Sequence, residues 1–350
     1  MLYFSFWEIE RRRHVKRYLV WAGVVYLLLL LFPLPLLGKT GQKDKDKKPP
    51  KESSAIESED EKKVDSGDIF RLLNEETGEV YEVSEWDFVV GAVGAEMYPT
   101  YHSEALKAQA VASYTYYSAL RKRNRANPSE NLKGADFADK QAGFPVFYTK
   151  EQLMGRWKDS FDTYYNKISE AVKEVFGKLI TYNDEPITAV YHAISAGTTE
   201  DAAVLWGTSY PYLQPVVSPG DKLAPDYQTE ASFTPEELAA KLRGIEGFEA
   251  SGEPDKWLKD DLQTSSSGTV THLTICNKAF TGIQLREALG LRSACFSVKY
   301  ADGKFVFTVS GYGHNVGMSQ YGADYLARQG LTYDEILRYY YTDVEIKEIK

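Results

Sequence analysis

An uncharged stretch near the N-terminus limits which part of this 350-residue chain can fold as a globular domain. Residues 18–37 (YLVWAGVVYLLLLLFPLPLL) hold 20 residues without a charge, about the length that crosses a hydrocarbon core of roughly 30 Å. We interpret them as an uncleaved transmembrane helix that leaves residues 1–17 in the cytoplasm. A cleaved signal peptide is the alternative, but the run is longer than usual and no A-x-A-like site follows it. Residues 38–67, rich in Lys, Asp, Glu and Ser, predict a disordered tether, so the folded domain is expected over residues 68–350.

The charge balance excludes one class of partner. The formal net charge is −9, and because the first 38 residues hold five Lys and Arg against two Glu, the remainder carries −12. An acidic domain is a poor nucleic-acid binder, so any anionic polymer must be met by a local basic cluster.

The two cysteines, Cys276 and Cys295, make neither a disulfide framework nor a metal-binding set. They could pair outside the membrane, or they could be two buried free thiols. We favour the free thiols, because cysteine often behaves as a small buried hydrophobe.

The hydrophobic periodicity predicts an α+β domain, with a mixed helical core, short β-strands and a smaller subdomain, preceded by the transmembrane helix. A capping box at Ser84 opens a helix that ends near Glu96. A second helix covers residues 103–123, and residues 187–191 predict a strand. A helix over residues 235–242 belongs to the smaller subdomain.

Glu96 is the candidate working acid. Small and apolar residues, 91–95, precede it, and Met97, Tyr98 and Pro99 follow it. Desolvation in such company raises the pKa of a carboxyl group and suits it to donate a proton near neutral pH. The alternative is a helix-terminal glutamate without a role.

A polar amide, Gln109, lies on the second predicted helix beside Ala105, Ala108 and Ala112. It is either a satisfied core group or a ligand contact. Buried polar groups usually have internal partners, so the residues alone favour the core group.

A glycine-rich connection between a strand and a helix is a candidate ligand site. Residues 311–323 (GYGHNVGMSQYGA) contain G-x-G-x-x-x-G without a βαβ unit, which excludes a dinucleotide site. The glycines let the backbone approach a bulky ligand, with His314 and Gln320 offering hydrogen bonds. The alternative is a tight connection in which His314 only braces the loop.

Polar residues also cluster after the strand predicted over residues 187–191. The segment YHAISAGTTED contains His192, Ser195, Gly197 and Thr199. A nucleophile elbow requires G-x-S-x-G. This segment is not one, because Ala193 stands where the motif needs a glycine, two residues before Ser195. The histidines and cysteines also fit no zinc spacing.

These segments occur together in one known family. The chain is similar to the stage II sporulation protein D family, which includes amidase-enhancer proteins, over about residues 68–350. The resemblance rests on four segments in the family's order: GAEMYPTYHSEALKAQAVASYTY, YHAISAGTTED followed by LWGTSYPYLQPVVSPGD, LREALGLRS, and GYGHNVGMSQYGADYLARQG. It implies a membrane-anchored lytic transglycosylase that cuts peptide-free peptidoglycan strands to 1,6-anhydro-muramic acid ends during endospore engulfment.

The resemblance also implies roles for individual residues. Glu96 matches the family's catalytic glutamate, which acts as general acid and then as base, so that one carboxylate suffices where many glycosidases use two. The residues expected around the sugar are Gln109, Tyr117, His192, Ser195, Gly197, Thr199, His314 and Gln320.

The chain departs from the family pattern at several positions. Tyr114 stands where many members have arginine, so a basic ligand contact is missing or supplied elsewhere. Asn315 replaces a usual glycine, although asparagine is the next best residue for a left-handed backbone. Some relatives hold zinc through a His and two Cys, but residues 124–148 contain neither type, so we expect no metal and no other cofactor.

The partners implied by the family are peptidoglycan strands and the stage II sporulation proteins M and P, with the domain outside the cytoplasm at the sporulation septum. A non-catalytic glycan-binding or amidase-activating wall protein is the alternative. A hydrolase that releases a reducing end shares the acid but needs a positioned water.

Overall fold

The structure, a computed structural model, describes residues 69–348. In this range the fold is mixed α+β. The α-helices of the described residues are α1 Glu85–Glu96, α2 Ser103–Ala126, α3 Lys150–Trp157, α4 Phe161–Val175, α5 Ala202–Trp206, α6 Pro235–Leu242, α7 Gly282–Leu289, α8 Gln320–Arg328 and α9 Tyr333–Tyr340.

The strands are short and form several small sheets. They are β1 Ile69–Leu73, β2 Val80–Ser84, β3 Phe137–Ala138, β4 Lys140–Gln141, β5 Phe144–Pro145, β6 Lys178–Tyr182, β7 Glu185–Pro186, β8 Tyr191–His192, β9 Gln228–Phe233, β10 Gln263–Thr264, β11 Val270–Ile275, β12 Lys278–Phe280, β13 Phe296–Ala301, β14 Lys304–Ser310, β15 Met318–Ser319 and β16 Glu345–Glu348. The three-stranded orders are β2-β1-β3, β10-β11-β12, β13-β14-β9 and β16-β6-β7.

The long helix α2 is the centre of the larger core. It packs against α1, α4, α8, α9 and β6. Its alanines let these elements approach closely, and Leu106, Ala110 and Tyr117 are buried. A buried side chain also ties α2 to the sheet, because the Thr115 hydroxyl accepts the Ile180 N–H of β6 at 2.9 Å.

Helix α1 begins and ends where the sequence predicts. Ser84 caps it, and its Oγ accepts the Asp87 N–H at 3.0 Å. The helix lies directly against the chain at Tyr148, because a Cβ on Gly91 would come within 2.2 Å of the Tyr148 carbonyl oxygen. The glycine thereby fixes how deeply α1, and Glu96 at its end, sits in the domain.

A second, smaller core lies within residues 228–309, as the expected subdomain requires. Helix α6 starts with a capping box between Thr234 and Glu237. Trp257 stacks on Phe305 with ring centroids 5.5 Å apart. Both cysteines are free thiols, as favoured, but only Cys295 is buried and Cys276 is partly exposed.

A parallel pairing joins the two predicted ligand segments. Strand β8 pairs with β15, with Tyr191 opposite Met318 and His192 opposite Ser319. Asn315 adopts the expected left-handed conformation, with φ of 68°, and its amide binds the Ala196 N–H and the Thr198 carbonyl at 3.0 Å each.

Two predictions need correction. The predicted strand over residues 187–191 is wrong except at Tyr191, because the Ala189 and Val190 N–H groups bond locally to the carbonyls of residues 187 and 188. The fold prediction also included a transmembrane helix. No helix within residues 69–348 is both long enough and apolar enough to cross a membrane, and the predicted span, residues 18–37, lies outside the described range. The fold class is therefore α+β, without a supported membrane helix.

Candidate active site

Glu96 is the last residue of α1 and is half-buried. The helix ends here because Met97 is extended (φ −115°, ψ 153°), with its N–H bonded to the Val93 carbonyl at 2.9 Å. Burial raises the pKa of the Glu96 carboxyl above the usual glutamate value, and a hydrogen bond with the Gln320 side chain opposes that rise only in part. Such a carboxyl group keeps its proton closer to neutral pH than an exposed one does.

A buried chain of polar side chains extends from Glu96. Beyond the contact with Glu96, Gln320 Nε2 donates to Gln109 Oε1 at 3.3 Å. Gln109 Nε2 in turn donates to Ser113 Oγ at 3.0 Å, and Ser113 donates to the Tyr191 hydroxyl at 3.3 Å. Gln109 is thus a satisfied core group, and this network also connects it to the acid. A fully bonded buried network of this kind fixes the orientation of its members.

Two tyrosines lie close enough to Glu96 to respond to its charge. Burial raises the pKa of Tyr117 and Tyr191 well above the usual tyrosine value, and the Glu96 carboxylate adds to both shifts. Both hydroxyls therefore keep their protons and can donate hydrogen bonds at neutral pH. Tyr117 is held by edge contacts with Phe88, at 4.7 Å between ring centroids.

Two histidines adjoin this group, with ring centroids 5.5 Å apart. His192 Nδ1 lies 3.0 Å from the Val316 carbonyl oxygen and so carries a proton. Its Nε2 is then an acceptor, and it is buried without a hydrogen-bond partner among residues 69–348. Burial lowers the pKa of His192 to about 4, so the ring is neutral at pH 7.

His314 links the pair to Tyr191. Its Nδ1 accepts the Val316 N–H at 3.1 Å, and its ring also hydrogen-bonds to the backbone of Tyr191. Burial, with a contribution from His192, lowers the pKa of His314 well below the usual histidine value. His314 therefore braces the loop, which is one of the two roles that the sequence allowed. It also lies beside Tyr191, a neighbour of Glu96.

Ser195, Gly197 and Thr199 build the loop that supports the site. Ser195 Oγ accepts the Gly197 N–H at 3.0 Å, and Thr199 Oγ1 accepts the Val216 N–H at 2.8 Å. Gly197 has φ of 104°, and a Cβ there would come within 2.7 Å of Lys222. The polar atoms of this loop are thus bonded within the protein.

A buried carboxylate, Asp221, joins this loop to α8. Its two oxygens accept the Ser195 N–H at 3.0 Å and the Ser319 hydroxyl at 2.7 Å. Ser319 is the N-cap of α8, and its Oγ also accepts the Gly322 N–H at 3.1 Å. Burial raises the pKa of Asp221, against the hydrogen bonds that favour its ionised form. Asp221 therefore sets the position of Gln320, the first residue of α8.

Tyrosines border the turn that follows Glu96. The ring of Tyr98 lies 5.6 Å from that of Tyr101, which lies 6.4 Å from that of Tyr321. Tyr98 is 47% exposed, so its ring is available to a ligand. Aromatic rings of this kind offer an apolar face together with a polar hydroxyl.

The structure thus divides the predicted residues into groups. Gln109, Tyr117 and Gln320 lie around Glu96; His192 and His314 adjoin them through Tyr191; Ser195, Gly197 and Thr199 form the supporting loop.

Three residues belong to the site although they are not among those predicted from the sequence: Ser113, Tyr191 and Asp221. Ser113 stands four residues after Gln109 on α2, so helix spacing could have found it. Tyr191 directly precedes His192, and because neighbouring residues of a strand face opposite sides, spacing offered no signal for it. Tyr114 points elsewhere, because its hydroxyl donates to the buried Glu85. Within residues 69–348, no group of three or more His, Cys, Asp or Glu side chains is arranged to hold a metal ion.

Comparison with known proteins supplies the context for this site. A family model described as SpoIID, stage II sporulation protein, matches residues 74–182, which include Glu96, Gln109 and Tyr117. Stage II sporulation protein D of Bacillus subtilis (strain 168) is 37% identical over 282 residues, which cover 80% of this chain and 78% of that protein.

Two further relatives extend the comparison. Stage II sporulation protein D of Bacillus amyloliquefaciens is 38% identical over 266 residues, 75% of this chain and 74% of that protein. A protein named amidase enhancer, from Bacillus subtilis (strain 168), is 26% identical over 302 residues, 72% of this chain but 39% of the relative.

Proposed function

Because the chain belongs to the stage II sporulation protein D family, which gives it a role in sporulation, we propose that it cleaves peptide-free peptidoglycan glycan strands as a lytic transglycosylase. The observation that carries the proposal is Glu96, a half-buried carboxyl group whose pKa is raised by burial and whose neighbours are bonded into one network.

The first step uses Glu96 as a general acid. The protonated carboxyl donates its proton to the glycosidic oxygen as the bond from C1 of muramic acid to that oxygen breaks. A raised pKa favours this step, because more of the enzyme holds the proton at neutral pH. The Gln320 amide fixes the carboxyl group in the orientation that the transfer needs.

The second step uses the same group as a base. The Glu96 carboxylate accepts the proton of the muramic acid 6-hydroxyl as that oxygen bonds to C1, which closes the 1,6-anhydro ring and returns the acid to its starting state. No water is consumed. This route needs only one carboxylate, whereas hydrolases use a pair.

The neighbouring groups supply hydrogen bonds of both kinds. The Tyr117 and Tyr191 hydroxyls keep their protons and can donate to sugar oxygens near the acid. The unpartnered Nε2 of His192 can accept from a sugar hydroxyl or acetamido N–H. A neutral histidine is needed for this, and the low pKa of His192, about 4, ensures it.

The test is the chemical identity of the ends that the protein produces. The full-length chain is incubated with peptide-free glycan strands, and the products are examined by mass spectrometry. We expect 1,6-anhydro-muramic acid ends from the wild type and at least a hundredfold less product from Glu96→Gln. Glu82→Gln removes the charge of an exposed glutamate on β2 and should leave the rate unchanged.

Other products would point to other functions. Reducing ends that depend on Glu96 would identify a hydrolase. If the wild type cuts nothing but stimulates a wall amidase, the protein is a binding or amidase-activating module, which is the second candidate function. The similarity to the protein named amidase enhancer favours that candidate.

The substrate also determines where the domain must work. Peptidoglycan lies outside the cytoplasmic membrane, so we propose that this domain acts there, at the sporulation septum. The stage II sporulation proteins M and P are proposed as its partners on the basis of the family resemblance. Recovery of those two proteins with the tagged chain from sporulating cells would support the assembly, and their absence after cross-linking would contradict it.

A further inference from the structure

Two arginines lie beside the histidine pair. Arg286 is on α7 and Arg292 follows that helix. The guanidinium of Arg292 lies over the ring of Tyr312, 4.3 Å from its centroid. The charge of Arg286 reaches three neighbours, since it contributes to lowering the pKa of His192 and of His314 and opposes the burial that raises the pKa of Tyr312.

Neither arginine forms a close ion pair in the described part of the chain, although the charge of the adjacent Glu287 acts on Arg286. Within residues 69–348, no ion pair involves Arg286 or Arg292, although the chain contains 50 Asp and Glu residues against 41 Lys and Arg. The Nε of Arg292 is buried and has no hydrogen-bond partner in the described part of the chain. A buried N–H group without a partner is costly, and a bound anion would satisfy it.

The arginines are connected to Glu96 through the residues that lie between them. Tyr312 lies against Arg292 and interacts electrostatically with Tyr98, which stands two residues after the acid. On the other side, His192 and His314 lie next to Tyr191, the neighbour of Glu96. These contacts make it reasonable to ask whether a strand with one glycosidic bond at Glu96 would meet the arginines with an adjoining sugar.

The chemistry of the strand identifies the anion. N-acetylglucosamine is neutral, whereas muramic acid carries a lactyl ether that ends in a carboxyl group. A stem peptide converts this group into a neutral amide, so it is an anion only on strands without peptides. A guanidinium binds a carboxylate through two parallel hydrogen bonds, a geometry that an amide cannot match.

We propose that Arg286 and Arg292 bind the free lactyl carboxylate of a muramic acid residue, and that this contact selects peptide-free strands. The inference rests on the proposed function, since it names how that site chooses its substrate. It makes the two arginines specificity-determining residues, separate from the acid.

Binding without cleavage tests the proposal. The full-length chain with Glu96→Gln is titrated by calorimetry with peptide-free glycan fragments and with the same fragments after conversion of their carboxylates to methylamides. The variants are Arg286→Gln and Arg292→Gln in this background. Arg243→Gln is the matched control, because Arg243 is exposed at the end of α6 in the same subdomain.

We expect the Glu96→Gln chain and its Arg243→Gln derivative to prefer the free carboxylate by about tenfold to a hundredfold, the range of hydrogen bonds to a charged group. Each arginine variant should lose most of that preference and bind the methylamide form as before. Arg286→Lys and Arg292→Lys keep the charge without the planar fork and should retain only part of the preference. Circular dichroism checks that every variant is folded.

Equal binding of the two fragments, or a full preference in folded arginine variants, would overturn the proposal. Competition by inorganic phosphate at the concentration of the glycan fragments would also overturn it, by making phosphate the ligand. Failure of this proposal can be distinguished from failure of the proposed function. A chain that produces no anhydro ends can still show the carboxylate preference, and a chain that produces them can lack it.

Discussion

Asp221→Ala should test the residues that hold the site in place, apart from those that carry out the chemistry. The side chain is fully buried, and its carboxylate joins the loop at Ser195 to the N-cap of α8 at Ser319. Asp221→Ala removes both acceptor oxygens but allows the same backbone conformation. The first residue of α8, Gln320, then loses the anchor that holds it against Glu96.

The size of the effect follows from the two hydrogen bonds, at 3.0 and 2.7 Å. A hydrogen bond to a charged group contributes about 1.5–3 kcal/mol, and the Ser195 N–H is left buried without an acceptor. Burial raises the pKa of Asp221, so desolvation of its carboxylate opposes folding. Removing the carboxylate therefore offsets part of the lost stability. We expect Asp221→Ala to lower the free energy of unfolding by about 2–4 kcal/mol.

Activity should fall as well, by about tenfold to a hundredfold, because displacement of a positioning group by about 1 Å has that effect. The assays are urea unfolding followed by circular dichroism at pH 7, and the rate of release of anhydro ends. Asp226→Ala, at an exposed aspartate in the same segment, is the control, and Asp221→Asn should lose less because its amide oxygen still accepts one bond. A change in unfolding free energy below about 0.5 kcal/mol, with full activity, would refute the reasoning.

Three further predictions concern the groups around the acid. Glu96→Gln should raise the free energy of unfolding at pH 7 by about 0.5–2 kcal/mol, the range of single stabilising changes, because it removes a carboxylate that burial disfavours; an unchanged or lower melting temperature would contradict this. Gln320→Leu should cost about 1–3 kcal/mol by leaving Gln109 Oε1 without a donor. It should also move the pH–rate profile of cleavage to higher pH, since the lost bond had lowered the pKa of Glu96; an unmoved profile would count against that contact. His192 has a pKa of about 4 in the native protein against 6.5 for the free side chain. Between these values the unfolded state binds more protons than the native state. The free energy of unfolding therefore falls as the pH is lowered from about 6.5 to about 4. His192→Gln should remove about 3 kcal/mol of this pH dependence, measured by urea unfolding at pH 7, 5 and 4, and parallel curves for variant and wild type would disprove it.

Local signals were sufficient for the starts of two helices. The capping residues Ser84 and Thr234 predict starts that the structure confirms, because a cap bond joins residues only three apart. The strand predicted over residues 187–191 failed for the opposite reason. Its apolar residues match a strand pattern, but the Ile187 N–H bonds to the Ile180 carbonyl of β6. The strand that pairs with Tyr191 and His192 is β15, which lies more than a hundred residues away.

The sequence by itself determined that Glu96 stands at the end of a helix among small and apolar residues, since the helix cap, the glycines and the apolar neighbours are all within a few positions of it. Only the tertiary structure decided which polar groups surround the acid. Gln320 reaches Gln109 across 211 residues of sequence, and Asp221 fixes Gln320 through Ser319. Hydrogen bonds between such distant residues leave no periodic pattern in a single sequence, because they are set by how the helices and loops pack.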